Sequence, residues 1–108
     1  MAYLDGYTGQ LVTTEWILIE LADALSAPSA RSTAAAILQA VRQDQQFEVV
    51  GYSESAYQAE FILYAQRPDK SWSLTDCISF GVMTDRKLTI ALTADQHFVQ
   101  AGFRAMFK

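Results

Sequence analysis

The chain has one cysteine, Cys77, so it can form neither an internal disulfide nor a paired Cys-x-x-Cys metal site. Cys77 lies in an apolar stretch of a predicted helix, where a lone thiol reads as a small buried hydrophobe in a reducing compartment. A single histidine, His97, excludes a zinc site built from several imidazoles, and beside Phe98 it reads as a packing or capping residue. Basic residues are scarce: 8 Lys and Arg against 12 Asp and Glu give a net charge of -4. Such a surface does not hold nucleic acid by bulk electrostatics, so any nucleic-acid contact must be local. No apolar run approaches the ~20 residues that span a bilayer, and no basic segment leads into an apolar one at the amino terminus. These two absences point to a cytoplasmic protein with no membrane role. Glycine-rich phosphate loops, a Gly-x-Ser-x-Gly elbow, internal repeats and low-complexity segments are also missing.

With 108 residues, 51% of them hydrophobic, the chain can bury one modest core, so residues 1–108 read as a single domain. Gln10-Leu11-Val12-Thr13 forms a short predicted strand, and Thr14 can cap a helix over 15–25 with Ile17, Leu18, Leu21, Ala22 and Leu25 at helical spacing. Ser26-Ala27-Pro28-Ser29 ends that helix. A second is predicted over 31–44, then a strand at Phe47-Glu48-Val49-Val50, then a third helix opened by Ser53 and running to about Gln66. Pro68 stops it, because proline disfavours a helical residue before it. A short helical turn ends near Gly102, and residues 103–107 suit an edge strand. Strands alternating with helices imply an α/β fold of three layers, α/β/α, with a mostly parallel sheet.

Residues 73–95 carry the chemistry. In Ser73-Leu74-Thr75-Asp76, Ser73 reads as an N-cap and Asp76 as the acid of a capping box, opening a helix through Cys77-Ile78-Ser79-Phe80-Gly81-Val82-Met83. Lys87-Leu88-Thr89-Ile90-Ala91-Leu92 suits a buried strand, and Asp95 follows at its carboxyl end, where open α/β sheets place ligands. Each acid has a plainer reading: Asp76 as a helix cap, Asp95 as a turn or cap residue, and Glu20 as a solvated acid on the 15–25 helix.

The run from Ser73 to Phe103, with Ser-Leu-Thr-Asp at 73–76, Ala-Leu-Thr-Ala-Asp at 91–95, His97-Phe98 and Ala101-Gly102-Phe103, resembles the carboxyl-terminal half of a PIN domain. More narrowly it is similar to the VapC-type toxin ribonucleases. Leu11-Val12-Thr13-Thr14 followed by Ile17-Leu18-Ile19-Glu20-Leu21 resembles that family's second strand and the helix bearing its second acid. The resemblance implies an acid cluster at the carboxyl end of the sheet that holds Mg²⁺ or Mn²⁺ and activates water to cut RNA. The matching positions are Glu20, Asp76 and Asp95, as metal ligands and catalytic acids. Oxygen donors of this kind suit Mg²⁺, which is often held by one or two carboxylates together with substrate phosphate. Trp72, Lys70 and Arg67, in the loop before the Asp76 helix, are candidate RNA contacts, although Trp72 reads more simply as an anchor of that loop on the core.

The family begins with a strand ending in an aspartate and a following helix, and this chain reads as starting after that unit. Met1 to Gly9 then resembles the end of the lost helix and a turn, with Asp5 out of place as the missing acid. The lost strand lies mid-sheet, so the strands around Leu11 and Leu88 would pair with each other or recruit a second chain, and a homodimer or swapped assembly is expected. The first functional expectation is a Mg²⁺- or Mn²⁺-dependent endoribonuclease, the toxin of a type II toxin–antitoxin system, with an antitoxin helix in a groove of the toxin. The second is a shortened, catalytically incompetent PIN module acting through protein or RNA binding. The third is a small α/β interaction domain whose acids only cap helices.

Overall fold

The computed structural model describes residues 3–5, 10–91, 93 and 95–105. Its elements in chain order are β1 (Tyr3–Asp5), β2 (Gln10–Thr14), α1 (Glu15–Ala24), α2 (Pro28–Gln43), β3 (Phe47–Val50), α3 (Glu54–Gln66), α4 (Leu74–Asp85), β4 (Ile90–Ala91), α5 (Gln96–Gln100) and β5 (Arg104–Ala105).

Helix starts follow local chemistry. The Thr14 hydroxyl accepts the Ile17 N–H at 3.2 Å and the Ser53 hydroxyl accepts that of Ala56, each satisfying a donor the first turn leaves open. α2 begins at Pro28, three residues before its expected start, because proline is preset for the first helical position and gives up no needed N–H there. Two helices end in the same motif. After α4, Lys87 and Leu88 donate to the carbonyls of Thr84 and Met83; after α5, Gly102 and Phe103 donate to those of Val99 and Phe98. These are Schellman ends, which need a left-handed residue. Gly102 supplies it with φ 98°, whereas Lys87 adopts φ 58° despite its side chain.

The sheet has the order β3-β2-β1-β4-β5. β2 pairs parallel with β3, β4 pairs parallel with β5, and β1 runs antiparallel to both β2 and β4. Four strands therefore point one way and the central one points back. Connections between parallel strands are right-handed, so the β2-to-β3 crossover lays α1 and α2 on one face, and the opposite travel from β3 through β4 to β5 lays α3, α4 and α5 on the other. The result is the expected α/β/α arrangement with a mostly parallel sheet.

The amino-terminal segment departs from expectation. Tyr3–Asp5 is a strand rather than the end of a helix, with Tyr3 opposite Val12 on one side and Ala91 on the other. It lies between β2 and β4 and pairs with both, at the place where each would otherwise present an open edge. The open central gap that motivated a second chain is thus closed from within. The turn expected over residues 6–9, and the strand positions at 92 and 106–107, lie outside the described residues.

The core gathers on α4, half of whose twelve residues are buried, among them Cys77, Ile78, Phe80 and Met83. Phe80 is its hub: Trp72 and Phe98 meet it edge-on at 5.2 and 5.1 Å between ring centres, and Phe103 stacks at 5.7 Å. α3 packs on α4 at Gly81, where an added Cβ would strike the Glu60 carboxylate. Among the described residues, no helix is long and apolar enough to cross a membrane.

Candidate metal centre

α4 and α5 each start with an acid at work. The Ser73 hydroxyl accepts the Asp76 N–H and Asp76 Oδ2 accepts the Ser73 N–H, both at 3.0 Å, completing the capping box read from the sequence. Asp95 caps α5, its Oδ1 accepting the His97 N–H at 2.9 Å, while its own N–H donates to Thr93 Oγ1 at 3.0 Å. α4 feeds β4 and α5 leaves it, so both starts lie at the carboxyl end of the parallel strands. The aromatic cluster holds them there. Trp72, four residues before Asp76, and Phe98, three after Asp95, both rest on Phe80.

His97 joins the two acids. Its Nδ1 lies 3.1 Å from Asp76 Oδ2 and 3.3 Å from Asp95 Oδ1, and its Nε2 lies 3.2 Å from Ser71 Oγ. One ligand atom from each of Asp76, Asp95 and His97 falls within 4.8 Å of the others, and all three residues are half-buried. Sequence reasoning missed His97 as a member of this group. The available signal was its place two residues after an N-cap acid, on the same first turn.

Glu20, expected beside the two aspartates, lies outside that tight group and is exposed on α1. It is nevertheless near Asp76. Partial burial and then the negative charge of Asp76 raise its carboxyl pKa above the ordinary value, against a hydrogen bond with the Thr75 side chain that lowers it.

The loop before α4 is already engaged. Trp72 is 7% exposed, and its indole N–H donates to Gln100 Oε1 at 3.2 Å, so it anchors the loop and offers no open ring for a base. Arg67 forms a two-pronged pair with Asp69 at 3.0 Å and lies over the Trp72 ring at 5.1 Å. Lys70 lines the adjoining groove with Tyr64 and Pro68. Within α4, burial pushes the Cys77 thiol up to about 11, as befits a packed residue rather than a nucleophile. Glu60 has its pKa raised by burial and then by Asp85, and its Oε2 is buried with no hydrogen-bond partner.

The donor set fits a divalent cation. Two carboxylates and an imidazole nitrogen converge with no lysine or arginine paired to either acid among the described residues. Two donors at right angles around an ion with bonds of about 2.1 Å stand about 3.0 Å apart, and the separations of 3.1 and 3.3 Å here are close to that.

No protein-family model matches the sequence, and no curated protein matches it. Among solved structures, the chain is similar to VapC20 of Mycobacterium tuberculosis, a sarcin–ricin loop cleaving toxin. The TM-score is 0.78 at 23% identity, over 85% of this chain and 70% of that one. The likeness is one of fold, and it is the PIN-like fold that the sequence resemblance implied.

Proposed function

We propose that the chain is a Mg²⁺- or Mn²⁺-dependent endoribonuclease of the toxin type, acting in the cytoplasm on RNA and restrained by a cognate antitoxin. The observation that carries this reading is the convergence of Asp76 and Asp95, from two separate helix starts, at the carboxyl end of a PIN-like sheet. Asp76 and Asp95 would hold the ion, with Glu20 beside Asp76 adding negative charge to the same pole of the site. When bound, such an ion neutralises phosphate charge and makes a water more acidic. The protein's own part is to fix the two carboxylates through caps that are already formed, and to set them on a rigid aromatic base. Net acidity leaves RNA binding to local contacts, for which Lys70, in the loop before α4, is a candidate cation. A homodimer in this reading finds support on α3, where Phe61, Ile62 and Tyr64 are exposed, rather than at open strands.

One feature favours the second reading, an incompetent module that only binds. Among the described residues, the acid of the central strand is set at the far end by its register: Asp5 pairs with Gln10, at the opposite end of β2 from Thr14. The test is Mn²⁺-dependent cleavage of a labelled sarcin–ricin hairpin and of mixed RNA by the parent and by Asp76→Asn, which can still accept the capping N–H. Cleavage that falls roughly a hundredfold or more in the variant supports the nuclease. Absence of cleavage by both, with RNA or protein binding retained, supports the module.

A further inference from the structure

We propose that His97 is itself a ligand of the divalent ion, making the centre an Asp-Asp-His site suited to Mn²⁺ above Mg²⁺. The inference rests on the metal-dependent reading above and deepens it. Nδ1 stands as close to each carboxylate as the two would need for a shared ion, and among the described residues no other histidine, cysteine or acid joins that group.

The second ring nitrogen supplies independent support. A ligating histidine characteristically hydrogen-bonds through its other nitrogen, which fixes the ring's orientation and tautomer. Here that partner is the Ser71 hydroxyl at 3.2 Å. A hydroxyl both donates and accepts, so it serves either tautomer. With no ion, Nδ1–H donates to the acids and Nε2 accepts from Ser71; with an ion, the Nδ1 lone pair faces the metal and Nε2–H donates to Ser71. The ring need not move. Its backbone is equally fixed, because His97 N–H is held by Asp95 and the next residue, Phe98, is 2% exposed in the core.

An imidazole nitrogen changes which ion the site prefers. Mg²⁺ favours oxygen donors, whereas imidazole suits the later divalent metals, with Mn²⁺ accepting both kinds. His97→Gln should therefore weaken Mn²⁺ binding roughly tenfold or more and affect Mg²⁺ less.

The chain's single histidine makes the test unambiguous, provided no histidine tag is present. Mn²⁺ is titrated into the untagged protein and the bound ion is examined by pulsed electron paramagnetic resonance. Imidazole ¹⁴N coupling in the parent, lost in His97→Gln, is the expected result. Bound Mn²⁺ without that coupling overturns the ligand role while leaving a carboxylate-held ion intact. Failure of the parent to bind Mn²⁺ overturns both this inference and the metal-dependent reading. The parent spectrum decides the matter even if the variant does not fold.

Discussion

Single residues carry several of the fold's tensions. Lys87 occupies a left-handed conformation that disfavours a side chain by roughly 1–2 kcal/mol, yet its amide closes the end of α4 and its neighbour Leu88 is buried. Lys87→Gly should therefore stabilise the protein, by up to about 1 kcal/mol once the greater freedom of glycine in the unfolded chain is counted; urea unfolding measures it. Glu60 holds an acid against Gly81 with one oxygen buried and unpartnered. Its pKa is raised on folding, so the folded chain takes up this proton at higher pH than the unfolded chain. Stability then falls as pH rises from the ordinary carboxyl range through the raised value. Glu60→Met should be more stable than the parent at pH 7, by about 1 kcal/mol for an unsatisfied buried group, with the gap narrowing toward pH 4.5. Thermal unfolding across that range tests it.

At the scale of elements, α4 organises the site through one ring. Phe80 bears on Trp72, Phe98 and Phe103, and so joins the loop before α4 to the start of α5. Phe80→Leu should cost about 2 kcal/mol in urea unfolding, through lost ring contacts and imperfect filling, and should also reduce any Mn²⁺-induced rise in melting temperature, since Asp76 and His97 are aligned by the same packing. Elements whose signals are local were legible in the sequence: Thr14, Ser53 and Ser73 announced three helices because a hydroxyl caps within its own turn. Asp76 and Asp95 were readable as acids at element ends for the same reason. Features defined by distant partners were not. β1 is three residues without periodicity, made a strand only by neighbours nine and eighty-eight residues away, opposite Val12 and Ala91. His97 looked like a packing residue because its meeting with Asp76 depends on how two helices converge, and Trp72 had two readings until its burial against Phe80 separated them.

Across the whole molecule, the described strands form two parallel pairs that meet only through β1. α1 packs beside β2 and α2 beside β3, while α5 packs beside β5 and against α4, so each pair has helices of its own. The hydrogen-bonded seam between the halves is three residues long on the β2 side and, among the described residues, a single register pair, Tyr3 with Ala91, on the β4 side. Cooperativity between the halves must then come mainly from side chains that pack across the seam, such as Val12 and Ile17 in the cluster that holds Phe80 and Phe98. Proteins open in contiguous units of differing free energy, and this seam is a natural boundary between two such units. Native-state amide exchange should show β2 and β3 opening together, at a free energy distinct from that of β4 and β5; one common value for all four strands would mean that the crossing side chains, and not the backbone ladder, weld the halves into a single folding unit.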